Sequence, residues 1–331
     1  MRPVINLINY GKLAHVNAPH NPEHLVMIAS MQRSLFPPQA AVWGLLLANG
    51  FLIALMLALA KAATSQGMPA VTYAFWQTLI AGSVLLVFSQ KRRSLLERRL
   101  SRYFLISGLT GIAVPNVIGF YLVTKLGAGF TGIMYALPPI FTFLIATGMG
   151  LEKRSWIKLA GLSIAVIACA WIVLQRHSEI SSPNLLWFAM GLIIPAMLSI
   201  GNVYRSVAWP DAVKPMVLAA GTLLASAMTL GLFAGLAGTP IFPVGTGSYL
   251  LGIVILQGLL TALTYLCAFE LQRRSNPVFY SQLGAVAAMF GLLIGVIWFN
   301  ERYSVGIWLG ALVVILGLRI SNRTKPTSPE T

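Results

Sequence analysis

Charged side chains are scarce in this chain of 331 residues. They make up only 9% of it, whereas 57% of the residues are hydrophobic and the mean hydropathy is +0.79. A soluble globular domain carries about 25% charged residues. A chain so poor in charge cannot cover its surface with groups that water solvates, so the composition argues against a soluble protein. We expect lipid to be its solvent, with the bilayer as its main partner.

Acidic residues, histidine and cysteine are also few, numbering eight, four and two. Cys169 and Cys267 lie within apolar runs and form neither a disulfide framework nor a metal-binding spacing. No Asp, Glu or His falls in the middle of an apolar run, where an ionisable group usually marks an ion or proton relay. The sequence thus predicts no metal site and no general acid or base for an enzyme. It also offers no fixed counter-ion, so we expect a neutral or zwitterionic substrate.

Lysine and arginine give the chain a net charge of +15, which in a soluble protein would suggest nucleic-acid binding. Here the basic residues stand in short clusters between apolar runs, and nucleic-acid binding needs a continuous basic face. We therefore expect no nucleic-acid partner. Basic clusters of this kind instead orient a membrane protein by the positive-inside rule.

Apolar runs long enough to cross a bilayer occur about ten times. The predicted spans are Ala40–Leu59, Val71–Ser89, Tyr103–Val123, Gly127–Met149, Trp156–Leu174, Leu185–Val203, Val213–Leu236, Tyr249–Phe269, Pro277–Phe299 and Val305–Ile320. With the amino terminus in the cytoplasm, this count places all but four of the 23 lysines and arginines on the cytoplasmic side. The sequence therefore predicts an all-α polytopic protein of the bacterial inner (plasma) membrane, with ten transmembrane helices and both termini in the cytoplasm.

An internal repeat relates the two halves of the chain. At one constant offset, Phe130, Glu152 and Gly161 are matched by Phe279, Glu301 and Gly310. Each glutamate opens a Glu-Lys/Arg-x-Ser turn between two spans; chance similarity between apolar helices is the alternative. Five spans per half would insert the second half upside down, as in secondary transporters that bind substrate near the midplane between inverted repeats.

The repeat predicts a division of the chain into four parts. A cytoplasmic tail covers residues 1–39, five-helix repeats cover 40–176 and 184–320, and a second cytoplasmic tail covers 321–331. The first part lacks the apolar core and cleavage site of a signal peptide. Met31 lies just before the first span and is an alternative start to Met1.

The residues that lead to Glu152 resemble a known family. The stretch is Tyr135-Ala136-Leu137-Pro138-Pro139-Ile140-Phe141-Thr142. Together with its counterpart from Phe279 to Gly310, it resembles EamA-type members of the drug/metabolite transporter superfamily. The resemblance implies a ten-helix fold with a central cavity, which usually exports amino acids or other small metabolites. The second half has Ala287 and Ala288 in place of the proline pair, which argues against a kink shared by both halves.

Uncharged polar side chains within the spans are candidates for a substrate site, because an amide that faces lipid is costly and must face other helices or a watered cavity. With the aromatic residues beside them, the candidates are Asn49, Trp76, Gln77, Asn116, Tyr135, Asn202, Gln257, Thr261, Thr264, Tyr265 and Gln282. Three of these, Gln257, Thr261 and Thr264, share one helix face by their spacing. The alternative for each residue is a hydrogen bond that only holds the bundle together.

Two further features are candidates for coupling and gating. Glu270, near the cytoplasmic end of predicted span eight, is the nearest carboxylate for coupling, and the alternative is an interfacial ion pair with Arg273 and Arg274. The pair Pro138 and Pro139 removes two backbone donors within predicted span four. It is a candidate gate, with a structural kink as the alternative.

These features predict a secondary transporter of a small amino-acid-like molecule, working by alternating access between the repeats. The export direction comes from the resemblance alone. No Gly-x-x-x-x-Gly-Lys-Ser/Thr motif occurs, which argues against an ATP pump, and we expect no cofactor. The alternatives are a lipid-carrier flippase, for which a lipid phosphate near Arg205 or Lys214 would speak, and a non-transporting membrane scaffold.

Overall fold

The computed structural model describes residues 38–89, 97–119, 121–122, 134–174, 185–241, 247–299 and 302–322. Within these ranges the regular structure is helical, without strands. In chain order the helices are α1 Pro38–Ser65, α2 Ala70–Phe88, α3 Arg98–Gly108, α4 Pro138–Gly148, α5 Trp156–Leu174, α6 Leu185–Val207, α7 Pro215–Leu236, α8 Ser248–Arg274, α9 Pro277–Ser281, α10 Leu283–Phe299 and α11 Val305–Ser321. A π-helical turn, Leu109–Ala113, continues α3 and leads into further helix over 114–119.

Several of these helices are long and apolar enough to cross a membrane. In the described part they are Ala40–Ser65, Ala70–Phe88, Ala189–Val207, Pro215–Leu236, Ser248–Arg274 and Pro277–Trp298, with shorter apolar helices at Met134–Gly148, Trp156–Ile172 and Val305–Ser321. Large apolar side chains such as Trp156, Ile167 and Trp298 are mostly exposed. Such a surface is a liability in water and suits lipid. The chain is therefore an all-helical, multi-pass membrane protein, and its division into ten spans in two repeats stays a prediction.

Small residues allow helices to pack closely in a membrane. The hydrophobic effect does not drive apolar helices together in lipid, so their association depends on close van der Waals contact. The helices α5 and α11 pack along each other, and α2 packs along α7 and α8. A Cβ added to Gly161 of α5 would lie 2.7 Å from the carbonyl oxygen of Gly317 in α11. Backbone thus meets backbone at this crossing.

The proline pair lies at the start of a helix. Pro138 and Pro139 occupy the first positions of α4, and a short helical stretch over 134–136 precedes them. Prolines are well tolerated there, because the first N–H groups of a helix have no intrahelical acceptor. The pair therefore separates two helical pieces of predicted span four. A gating role for it stays a prediction.

The π-helical turn has a clear cause in the sequence. Pro115 has no N–H with which to reach the carbonyl of Gly111, so the regular α-helical pattern cannot continue there. The N–H of Val114 bonds instead to the carbonyl of Leu109, five residues back. The carbonyl of Pro115 accepts a hydrogen bond from the Tyr135 hydroxyl at 2.9 Å. The turn thereby fixes Tyr135 beside the helix that continues α3.

Of the two glutamates that mark the proposed repeat, the structure describes Glu152. The Glu152 carboxylate accepts from the Lys158 ammonium at 2.8 Å, and both side chains are mostly buried. Phe130 and Glu301 lie outside the described residues, so the comparison of the two turns stays a prediction.

Candidate functional site

A cavity of about 400 Å³ lies among the helices. Most of its lining is apolar, and the polar and tyrosine side chains that face it are Asn49, Lys61, Thr64, Gln77, Asn116, Tyr135, Asn202, Arg205, Gln257, Thr264, Tyr265, Tyr280, Ser281 and Tyr303. Along α1 the lining runs from Asn49 to Thr64, which is about 22 Å at the rise of an α-helix. Pockets for small molecules commonly have this size and this mixture of apolar walls with a few polar groups.

The structure brings together most of the residues that the sequence singled out. Asn49, Gln77, Asn116, Tyr135, Asn202, Gln257, Thr264 and Tyr265 all line the cavity. They come from α1, α2, α6, α8 and the segments on either side of the undescribed residues 123–133. Their contact with a substrate stays a prediction. Their side chains nevertheless share one cavity.

A small group of amides stands in the cavity wall with unused hydrogen-bonding capacity. The Gln257 amide nitrogen donates to the Gln77 amide oxygen at 2.8 Å, and both residues are buried. Within the described part of the chain, the Gln257 amide oxygen and both side-chain polar atoms of Asn49 have no hydrogen-bond partner. An unsatisfied buried polar group costs about 1–3 kcal/mol. These atoms are closed to solvent, so a solute would reach them only if the neighbouring side chains moved apart.

Three predicted residues lie outside the cavity lining. Trp76 donates its indole N–H to the carbonyl of Ile241 at 2.8 Å. The Thr261 hydroxyl donates to the carbonyl of Gln257, one turn back in α8, at 2.7 Å. Gln282 exchanges hydrogen bonds with Asn322, at 2.9 and 3.2 Å. The bonds of Trp76 and Gln282 connect parts of the chain that are far apart in sequence, whereas the bond of Thr261 stays within α8. A role in binding stays a prediction for all three.

The coupling and gating candidates differ in their position. Pro138 lines the cavity and Pro139 is buried behind it. The Glu270 carboxylate lies outside the lining, where it accepts from Arg273 at 2.6 Å and from Arg274 at 2.5 Å. This is the arrangement expected of an interfacial ion pair. Coupling through Glu270 stays a prediction.

Arg205 was not among the substrate-site residues that the sequence predicted. It was named only as a possible contact of a lipid phosphate, yet it lies in the last turn of α6 with only 4% of its surface exposed, and it lines the cavity. Its Nε donates to the Gln272 amide oxygen at 2.8 Å, and its Nη2 donates to the Asn202 amide oxygen at 2.7 Å. The cavity therefore contains a buried charged group in its wall, which the apolar runs did not predict.

Two glycines, Gly111 and Gly201, leave room for the side chain of this arginine. Its Nη1 lies against the π-helical turn at Gly111, where an added Cβ would overlap the nitrogen, and near Gly201 of α6. The sequence signal was available in hindsight: Asn202 and Arg205 are three residues apart and so share a face of α6. At a helix end, however, the sequence alone does not distinguish a buried arginine from one that extends to the interface.

The charge of the cavity is one-sided. Arg205 and Lys61 contribute to its lining, and among the described residues no aspartate or glutamate does. Nor does the described part contain a group of three His, Cys, Asp or Glu placed to hold a metal ion. The site can therefore offer hydrogen bonds, aromatic faces and positive charge to a ligand.

Comparison with known proteins gives the family. The EamA-like transporter family matches the chain twice, over residues 41–174 and 185–323. A WAT1-related protein of Arabidopsis thaliana is 25% identical over 306 residues, which cover 79% of this chain and 83% of the plant protein. One solved crystal structure shares the fold with a TM-score of 0.69 at 17% identity, covering 84% of this chain and 95% of that one. Because the family match takes in most of both halves, the chain belongs to the EamA-like transporter family, within the drug/metabolite transporter superfamily.

Proposed function

We propose that the protein is a secondary transporter that exports a small neutral or zwitterionic, amino-acid-like metabolite. Membership of a transporter family supports transport and points away from an enzyme. The observation that carries the proposal is the cavity with unpaired amide atoms of Asn49 and Gln257 in its wall. In an apolar bundle such atoms are costly. A polar solute that completes their hydrogen bonds gives them a function.

The walls of the cavity favour an amphipathic solute. Most of the lining is aliphatic, and Tyr135, Tyr265 and Tyr280 add aromatic faces. Apolar contact of this kind suits the hydrocarbon part of an amino-acid-like molecule, while the amides and the arginine suit its polar end. A sugar, with hydroxyl groups on every side, would leave many of them unpaired here.

Alternating access between two inverted five-helix repeats is the mechanism that we propose. Two successive family matches, at 41–174 and 185–323, support the repeats at 40–176 and 184–320. Residues from both repeats line one cavity, so a rocking motion of one repeat against the other would open it to each side in turn. We place the protein in a bacterial inner membrane with both termini in the cytoplasm, on the distribution of basic residues.

Solute flux in proteoliposomes tests the proposal. Vesicles containing the purified full chain would be loaded with labelled amino acids, amines, nucleosides or sugars, with and without a pH gradient. We expect saturable flux of one class, the amino acids, and a response to the gradient would show proton coupling. Flux no higher than in empty liposomes, from folded protein, would reject transport of these solutes. Movement of a labelled lipid in the same vesicles would favour the flippase alternative instead.

A further inference from the structure

The geometry points to Arg205 as an anion site within the cavity, and we propose that it binds the carboxylate of the transported solute. The inference rests on the proposed function and makes it more specific. It assigns one end of the solute to a charged group of the cavity wall.

The charge of Arg205 is not balanced by a carboxylate of the described residues. Glu97 pairs with Arg99, Glu152 with Lys158, and Glu270 with Arg273 and Arg274. The remaining described acid, Asp211, is exposed in the turn after α6. A buried charge normally has an opposite charge beside it, because removing an isolated ion from water is very costly. Arg205 is more than nine-tenths buried, yet no carboxylate of the described residues is paired with it.

Neutral partners hold the guanidinium without cancelling its charge. The Asn202 and Gln272 oxygens fix Nη2 and Nε, and the Gln272 amide nitrogen is itself fixed by the Asn202 carbonyl at 2.8 Å. The rings of Phe269 and Tyr280 lie 6.0 and 5.6 Å from the guanidinium carbon. Aromatic faces stabilise a cation only partly. The arginine is thus oriented in advance and keeps its full positive charge for a ligand.

Arg205 lines the cavity and has N–H groups to spare for a ligand. Five N–H groups belong to an arginine, and in the described part of the chain only Nε and Nη2 have hydrogen-bond acceptors. Nη1 lies against Gly111, which also lines the cavity. The planar fork of an arginine matches the two oxygens of a carboxylate. A single cation matches a single negative charge, which favours a carboxylate over a phosphate dianion.

The remaining lining fits the other end of the same solute. Unpaired acceptor oxygens belong to Asn49 and Gln257, and an ammonium or amine has the donors that they lack. A solute with a carboxylate and an amino group would therefore find donors at Arg205 and acceptors at the amide group. An amino acid carries both of these groups.

Binding of paired probes tests the proposal without any need for transport. The purified full chain in detergent would be titrated with the L-amino acids and with their amides, which differ only at the carboxylate, and ligand-dependent stabilisation against heat would be measured. We expect at least one amino acid to bind, and its amide to bind about tenfold to a hundredfold more weakly, since a charged hydrogen bond is lost.

Two variants should abolish that preference, and a third should not. Arg205→Gln removes the charge. Gln272→Glu leaves the arginine in place and puts a carboxylate beside its Nε, so the charge is neutralised from within even if the first variant fails to fold. Lys214→Gln removes a neighbouring exposed charge that does not line the cavity, and it should bind like the wild type.

Equal binding of every amino acid and its amide, no binding of any amino acid, or an unchanged preference in both Arg205→Gln and Gln272→Glu, would overturn the proposal. Binding of phenyl phosphate in preference to the amino acids would overturn the carboxylate assignment. Failure of the transport hypothesis looks different: the carboxylate preference would be present in binding, and proteoliposomes would show no flux. Equal flux of the amino acids and their amides would support transport but reject the role of Arg205 as the carboxylate site.

Discussion

Asn49 has a side chain that is fully buried and that no described residue satisfies. In a protein shaped only for stability, an apolar residue of the same size would stand there, because a buried polar atom without a partner costs about 1–3 kcal/mol. Thr142 of α4 presents the same cost away from the cavity. A comparison of variants at these two positions therefore distinguishes an effect on stability from an effect on solute binding.

We expect Asn49→Leu to raise the free energy of unfolding by about 1 kcal/mol and to increase the KM of solute flux. The added apolar surface replaces an unsatisfied amide, and the solute loses a hydrogen-bonding partner. Thr142→Val, the matched control, should stabilise the protein to a similar degree and leave the KM unchanged. Thermal unfolding and proteoliposome flux measure the two effects, and an unchanged KM in both variants would contradict a binding role for Asn49.

Glu270 leads to a prediction about pH. Its carboxylate is held by Arg273 and Arg274 at the end of α8 and lies away from the cavity. We expect Glu270→Gln to change stability by less than about 1 kcal/mol, as for most surface ion pairs, and to keep the full pH dependence of flux. A flat pH profile in this variant, with normal flux at one pH, would instead assign the coupling to Glu270.

The sequence indicated which polar residues line the cavity better than it indicated their hydrogen-bond partners. Gln257 and Thr264 were expected to share a face of α8, and both line the cavity. Thr261, between them, turns its hydroxyl back to its own helix, a local hydrogen bond that spacing cannot reveal. Trp76 reaches the carbonyl of Ile241, far away in the chain. Arg205 was missed because burial at a helix end depends on the neighbouring helices.

At the crossing of α5 and α11, the backbones of the two helices are in direct contact. Gly161 and Gly317 face each other there, and a Cβ on Gly317 would lie 2.6 Å from the Gly161 carbonyl oxygen. Since backbone atoms line the contact, the neighbours cannot yield as a flexible side chain would. The two helices must separate if either glycine gains a side chain.

We expect Gly317→Ala to lower the free energy of unfolding by about 1–3 kcal/mol, the usual cost of overpacking. The control is Gly252→Ala in α8, where an added Cβ meets nothing within 4 Å. Alanine there should leave stability unchanged or raise it by up to about 1 kcal/mol, because it favours the helix. Thermal unfolding in one detergent compares the two, and equal stability would show that α5 and α11 can separate freely.

Helix positions were largely predictable from apolar runs, and helix ends were not. The prediction ended span one at Leu59, whereas α1 continues to Ser65. The hydroxyl groups of Thr64 and Ser65 donate to carbonyls of the preceding turn, so polar residues prolong the helix beyond its apolar run. From the sequence, Pro115 predicts an interruption of span three, but not the π-helical turn at Leu109–Ala113. Its register depends on the neighbours that occupy the space.

For the whole molecule, the even number of spans predicts that both ends of the chain lie on one side of the membrane. A carboxyl-terminal green fluorescent protein should fluoresce, and a carboxyl-terminal alkaline phosphatase should be inactive, since each folds on one side only. The same tags inserted between α1 and α2, at residues 66–69, should give the opposite result. Active phosphatase at the carboxyl terminus would contradict ten spans with an inside amino terminus.

Two positively charged residues line the cavity, Lys61 near the carboxyl end of α1 and Arg205 near the carboxyl end of α6. Each stands at the same distance from the start of its family match, at residue 41 or at 185. Among the described lining residues no carboxylate is present to carry a proton along with the solute. Membrane voltage then has a direct effect: a monoanion gains about 2.3 kcal/mol per 100 mV when it leaves an inside-negative cell, whereas a zwitterion gains nothing. For an anionic solute, export would need no partner ion, because the voltage itself would set the direction.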